Sequence, residues 1–204
     1  MPDLAGGAQI PRSPKVALRD RLLAQRRSLT PSARHTAAVA VHATLLSLVR
    51  RIRPPTVAAY VPVGAEPGGG DLPVVLASTG RLLLPVLLPD GDLDWAAYDG
   101  SLTAGPRGLL EPPGPRLGGD AVRDATLVVV PALAVDRSGM RLGRGGGSYD
   151  RVLARLPTDA LTVALLNDGE LLDAVPAEAH DRPVWAAITP SGGLTLSPGA
   201  EWTK

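Results

Sequence analysis

The run from Thr126 to Val135 (TLVVVPALAV) constrains the fold more than any other stretch of this chain. It is continuously apolar, with no polar alternation to mark a wet face. Such a strand needs cover on both sides, which is the situation of a parallel strand inside a layered sheet. Other short β-rich runs surround it: Thr56 to Pro62, Leu82 to Leu88, Asp92 to Tyr98, Leu161 to Leu166 and Val184 to Thr189. Helical signals alternate with them. Ser13-Pro14 and Thr30-Pro31 each place an oxygen-bearing cap before a proline at the first helical position. Leu18, Leu22 and Leu29 then share one stripe, and Ala37, Ala38, Val41, Leu45 and Leu48 another. Short helices are predicted over about 71–78 and 148–155. Strands alternating with helices predict an α/β fold with a mostly parallel sheet. The Gly- and Pro-rich segment 100–120 reads as loop.

At 204 residues, the chain reads as one domain over 14–204, preceded by a disordered leader over 1–13. It has no cysteine, which excludes thiol catalysis, Cys-ligated zinc and iron–sulfur chemistry. With no signal-like or membrane-length apolar segment, the default reading is a cytoplasmic protein, and a monomer is expected. A net charge of +1 gives no general reason to expect nucleic acid as a partner. Of the 21 basic residues all but Lys15 and Lys204 are arginine. An interior lysine in so Arg-biased a chain marks a place where a compact ammonium suits, unless its choice is chance.

The chemistry concentrates in Asp136 to Arg151 (DRSGMRLGRGGGSYDR), which follows the apolar run and opens a helix. Ligands of open α/β sheets bind beyond the carboxyl ends of strands, where this loop falls. Gly143, Gly145, Gly146 and Gly147 permit close backbone approach, and their amides with the first helical turn can face an anion. Arg141 and Arg144 add guanidinium donors, and Asp150 could hold Mg²⁺ against a phosphate. The loop is neither a GxxxxGK[ST] phosphate loop nor the GxGxxG fingerprint, since position 148 is Ser148. On composition alone, a phosphate cradle and a structural turn both remain open.

The run Arg141-Leu-Gly-Arg-Gly-Gly-Gly-Ser-Tyr-Asp150, with Pro131, Asp136 and Gly139 before it, resembles the signature of the 5-formyltetrahydrofolate cyclo-ligase family. Weaker matches agree in order: Lys15-Val-Ala-Leu-Arg19, Tyr60-Val-Pro-Val-Gly-Ala-Glu66, Gly108-Leu-Leu-Glu111-Pro112, and Val175-Pro176 followed by His180-Asp181. Two departures stand out. Ser148 replaces the first aromatic of Tyr-Tyr-Asp, and Pro-Gly-Gly-Gly follows Glu66 where the family has x-x-Thr.

The resemblance implies a three-layer α/β/α fold like that of the sugar-phosphate isomerase and CoA-transferase group. It implies ATP- and Mg²⁺-dependent cyclisation of 5-formyltetrahydrofolate to 5,10-methenyltetrahydrofolate, with release of ADP and phosphate. Lys15 and Arg144 are then the catalytic cations. ATP is held by Lys15, Arg19, Arg141, Gly143, Arg144, Gly145, Gly146, Gly147, Ser148 and Tyr149. The reduced folate is held by Glu66, Arg144 and Ser148, and the metal by Asp150 and Asp181. Tyr149 either lines the site or packs its helix onto the sheet. His180 is assigned no catalytic role, Arg26 and Arg27 are placed on a solvated helix face, and Trp95, Trp185 and Trp202 are read as packing residues. The rival readings are a nucleotide- or phosphate-binding module that kept the scaffold without the chemistry, and an enzyme acting on another N-formyl or pterin-like substrate.

Overall fold

The computed structural model describes residues 13–178 and 181–199. Helices α1 (Pro14–Ser28) and α2 (Pro31–Ile52) begin as the sequence predicts. Ser13 Oγ accepts from the Val16 amide at 3.4 Å and Thr30 Oγ1 from the Ala33 amide at 3.1 Å, so each cap satisfies an otherwise unpaired first-turn amide. The chain continues through β1 (Thr56–Ala58), α3 (Leu72–Ala77), β2 (Arg81–Leu87), β3 (Leu93–Ala97), β4 (Thr103–Ala104), β5 (Leu110–Glu111), β6 (Leu127–Pro131), β7 (Ala134–Asp136) and β8 (Arg141–Leu142). It ends with α4 (Ser148–Arg155), β9 (Leu161–Leu165), β10 (Leu171–Leu172), β11 (Ala186–Thr189) and β12 (Gly193–Leu196).

The main sheet has seven strands in the order β12-β11-β9-β6-β1-β2-β3. Its five inner strands are parallel, and each edge strand pairs antiparallel with its neighbour. Along each inner strand, side chains alternate between two buried clusters. Val57, Leu82, Leu84, Leu127, Val129, Val163 and Leu165 face α2 and α3. Ala58, Leu83, Val128, Val130, Ala164 and Leu166 face α4 and the 3₁₀ turn Gly119–Asp124. Burying both faces is what the unalternated apolar run demands, and the result is the expected three-layer α/β/α arrangement. A smaller unit sits beside it. The three-stranded sheet β10-β7-β8 buries Leu133, Ala134, Leu142 and Val175 against Leu22 of α1.

Thr126 to Val135 is not one strand. β6 stops at Pro131, and β7 begins at Ala134 in the second sheet. The carbonyls of Pro131 and Ala132 take guanidinium donors from Arg141 and Arg26 in place of a continued ladder, and Leu133 bonds to Leu142 instead. Segment 100–120 also carries more structure than expected, namely the β4–β5 hairpin with a 3₁₀ turn at its tip.

β1 leads through α3 to β2 on one side of it, whereas β6 leads through α4 to β9 on the other. Connections therefore diverge between the adjacent strands β1 and β6. A crevice beyond the carboxyl ends of such a pair is the usual ligand position in open α/β sheets.

Helix α4 is tied to the β2–β3 turn by Asp92. Arg155 Nη1 donates to Asp92 Oδ1 at 2.8 Å, its Nη2 reaches Oδ2, and Arg151 Nε lies 3.5 Å away. Chiefly through Arg155, the Asp92 carboxyl is lowered from 3.8 to about 2 against the opposing effect of burial. A carboxyl whose pKa falls on folding stabilises fully above its unfolded value and loses that contribution as pH falls through its folded value. Melts taken from about pH 5 down to about pH 2 are expected to show the wild type losing more stability than Asp92→Asn. Parallel curves for the two proteins would remove Asp92 from the acid response.

Candidate active site

A cavity of about 370 Å³ occupies this divergence point. Tyr60 and Val61 beyond β1, Pro85 and Leu87 of β2, and Pro131 and Ala132 at the end of β6 line it. Over them lie the Gly143–Gly147 loop and the first turn of α4. Three glycines in that loop are favoured by backbone or space: Gly145 and Gly147 adopt φ of 99° and 72°, the latter where the chain enters α4, and a Cβ on Gly143 would sit 2.9 Å from Arg141 Nη1. The loop is therefore a built turn that also lines the cavity.

Arg141, with only 4% of its side chain exposed, enters from β8 and reaches Asp150 in the first turn of α4, besides donating to Pro131 O at 3.0 Å. Burial draws the Arg141 pKa below its ordinary value, opposed by the charges of Asp150, Tyr149 and Asp181. The two carboxylates read as metal ligands thus both act on one guanidinium. Arg144 Nε lies 3.1 Å from Glu66 Oε1 across the cavity mouth. Glu66 is itself set by the Val63 amide at 2.9 Å. Its loop is pinned by Tyr60 Oη donating to Pro67 O at 2.6 Å and by His42 Nε2 at 2.7 Å from Gly68 O. The Pro-Gly-Gly-Gly departure therefore leaves the loop well anchored.

α1 brings the remaining cations. Lys15 Nζ contacts Glu178 Oε1 at 2.8 Å and Asp181 Oδ2 at 3.0 Å. Burial works against its charge, but the bonds and charges of Glu178 and Asp181 outweigh it and raise its pKa. A compact ammonium bridging two carboxylates explains a lysine in this Arg-rich chain. Arg19 Nε donates to Gly143 O at 2.9 Å, holding the glycine loop from outside.

Ser148 lines the cavity, yet its hydroxyl donates to Gly91 O in the β2–β3 turn. It docks α4, so its proton is already engaged while its oxygen can still accept. Tyr149 both packs against the two faces of the sheet and lines the cavity. Its buried hydroxyl has no hydrogen-bond partner among the described residues, and burial pushes its pKa well above the ordinary value. Asp136, whose neighbours carry the signature, is a clamp. Its carboxylate accepts from Ser138, Met140 and Val175, joining the β7–β8 turn to the segment before Asp181.

Arg26 corrects the sequence reading. Arg27 is exposed, but Arg26 is 3% exposed and forms a two-pronged pair with Glu170 at 2.7 Å per contact. Glu170 is 144 residues away in sequence, so no local signal could reveal the partner. Trp95 is fully buried as a packing residue and Trp185 partly so. His180 and Trp202 lie outside the described residues.

The chain is an α/β protein of the three-layer type, with an arginine- and glycine-lined cavity at the divergence point of its sheet. The chain belongs to the 5-formyltetrahydrofolate cyclo-ligase family, whose model matches residues 11–190. It is 45% identical over 191 residues to the 5-formyltetrahydrofolate cyclo-ligase of Mycolicibacterium smegmatis, covering 90% of this chain and 97% of that one. The solution structure of Aquifex aeolicus 5,10-methenyltetrahydrofolate synthetase superposes with a TM-score of 0.78 at 26% identity, over 93% of this chain and 96% of the other. The 5,10-methenyltetrahydrofolate synthetase of Mycoplasma pneumoniae shares the fold, with a TM-score of 0.68 at 18% identity over 84% and 95% of the two chains.

Proposed function

We propose that the chain cyclises 5-formyltetrahydrofolate to 5,10-methenyltetrahydrofolate using ATP and Mg²⁺, releasing ADP and phosphate. One observation carries the reading: Lys15, Arg141 and Arg144 each meet a carboxylate at or beside one cavity. Such pairs can exchange partners when a polyanion and a divalent cation arrive together. The carboxylates Asp150 and Asp181 fit Mg²⁺, which is commonly held by one or two acids plus phosphate oxygens and water. When bound, the metal supplies charge cancellation on the phosphoryl group.

The protein's own part is placement and charge. Lys15 and Arg141 turn from their carboxylates to phosphoryl oxygens, and Arg19 steadies the glycine loop whose amides face the same anion. Arg144 spans both ligands, since it is paired to Glu66 in the free protein and stands on the phosphate loop. Glu66, once released, receives hydrogen-bond donors of the reduced pterin ring. The formyl oxygen accepts the phosphoryl group, N10 attacks the activated carbon, and phosphate leaves, so no protein nucleophile is needed.

Purified protein given ATP, Mg²⁺ and 5-formyltetrahydrofolate is expected to produce the near-ultraviolet absorbance of the methenyl product. Nucleotide binding without that signal would favour the non-catalytic module. Lys15→Ala is expected to raise KM for ATP about tenfold, the loss of one charge-assisted contact, and KM for folate much less. The reverse pattern would take Lys15 out of the nucleotide site.

A further inference from the structure

Four arginines line the cavity: Arg26, Arg107, Arg141 and Arg144. Three are already matched, to Glu170, Asp150 and Glu66 respectively. Arg107 has no ion-pair partner among the described residues. It stands at the tip of the β4–β5 hairpin, beside Leu109 and Leu110, in a cavity that Pro85, Leu87 and Leu93 also line. The cavity is therefore uneven. One portion carries the glycine loop, Glu66, Arg144 and Asp150; the rest is leucine-rich, with the Glu111 carboxylate engaged by the Leu87 amide and Arg116, and Arg107 as its one cation without an ion-pair partner among the described residues.

The backbone beneath Arg107 is unusual as well. It adopts φ 57° and ψ 25°, a left-handed conformation shared among non-glycine described residues only with Arg53, which ends α2. A left-handed L-residue is disfavoured by about 1–2 kcal/mol. The hairpin that holds it there is firmly built. Glu111, 6% exposed, accepts from the Leu87 amide of β2 at 2.9 Å. A Cβ on Gly105 would lie 2.5 Å from the Glu111 carboxyl carbon, so the hairpin closes tightly on that side chain. The surrounding structure thus holds the Arg107 backbone in a strained conformation at the cavity rim, with its side chain exposed. Strain maintained by its surroundings points to use.

We propose that Arg107 determines substrate specificity by binding a carboxylate of the glutamyl tail of the reduced folate. This rests on the cyclo-ligase reading. The three chemical parts of that substrate match the three parts of the cavity. A polar pterin ring belongs with Glu66 and Arg144, an apolar aminobenzoyl ring lies on the leucine wall, and an anionic tail meets the unmatched guanidinium. The planar fork of arginine suits a carboxylate better than any other cation available to a protein.

The test uses Arg107→Gly, which removes the guanidinium while accepting the left-handed backbone, and Arg107→Lys, which keeps the charge. Each is assayed with 5-formyltetrahydrofolate and with its tail diester. Arg107→Gly is expected to raise KM for the free acid about tenfold while changing that for the diester less than about twofold, and Arg107→Lys is expected to fall between. The change should fall on KM rather than kcat. Equal rises for both substrates, or no rise for either, overturn the assignment. Calorimetric binding of both compounds, with a non-hydrolysable ATP analogue present, separates the two levels of the argument. Discrimination that depends on Arg107 without any turnover by the wild type sinks the cyclo-ligase reading and leaves Arg107 as a tail-binding residue. Binding of neither compound sinks both.

Discussion

Asp150→Ala is expected to lower kcat by about 10²–10³-fold at saturating Mg²⁺, the scale seen when one electrostatic stabiliser of a transition state is removed. The carboxylate stands in the first turn of α4, with 35% of its side chain exposed, directly against Arg141 at 4%. Its removal therefore acts twice. It takes away one of the two acids proposed to hold Mg²⁺, and it leaves a buried guanidinium without its counter-charge. Breaking a fully buried pair destabilises by about 3–5 kcal/mol. The solvent access of Asp150 screens this, so a loss of about 1–2 kcal/mol is expected here. Asp150→Asn separates the two effects. It keeps an oxygen for Arg141 and removes the charge, so turnover should fall nearly as far while the melting temperature falls less. Progress curves at the methenyl absorbance and thermal melts measure both. An unchanged rate for either variant would overturn the proposal that Asp150 holds the metal.

The parts of the fold that were legible from sequence are those set by neighbours along the chain. Ser13-Pro14 and Thr30-Pro31 begin helices because a cap and its target amide are three residues apart. The five inner strands announce themselves by apolar runs buried on both faces. What failed depends on partners far away. The break at Pro131 could not be read, because the donors that end β6 come from Arg26 and Arg141. β8 is a strand of only two residues inside a segment that otherwise reads as a turn. β12 did leave a signal, since Ser191-Gly192-Gly193 between apolar runs is a hairpin pattern. The β4–β5 hairpin was hidden by the Gly and Pro content of 100–120, and Arg107 with it.

For the site, the glycine signature led to residues that do gather around one cavity: Glu66, Arg141, Gly143, Arg144, Gly145, Gly146, Gly147, Ser148, Tyr149 and Asp150. Lys15, Arg19 and Asp181 join through ion pairs and a carbonyl contact at its border. The sequence could not show that most of the charged members are already paired with one another. That pairing decides the chemistry of binding, because a ligand must replace those partners and not merely find open charges.

Arg26→Ala is expected to be the most destabilising single change outside the apolar core. Arg26 Nε and Nη2 each lie 2.7 Å from a Glu170 oxygen, and both side chains are below 5% exposed, at 3% and 4%. The same Nη2 also caps the Ala132 carbonyl, and Glu170 in turn accepts from the Asn167 amide at 2.7 Å. Truncating the arginine leaves a buried carboxylate and a carbonyl without their donor. The expected loss is about 3–5 kcal/mol, or about 6–20 °C in Tm for a domain of this size. Replacing both partners together, as in Arg26→Met with Glu170→Leu, should cost less than the single change, because no buried charge is then stranded. It should not be neutral, since the Ala132 carbonyl and Asn167 amide still lose a partner. The pair also fixes where α1 lies, and α1 carries Lys15 and Arg19. A folded Arg26→Ala protein should therefore also show a raised KM for ATP, as Lys15 and Arg19 shift with α1. Urea melts and ATP titrations on the single and double variants check both expectations. A single variant that loses less than about 1 kcal/mol would mean that water reaches Glu170 once the arginine is gone, and that the pair is not what holds α1 against the sheet ends.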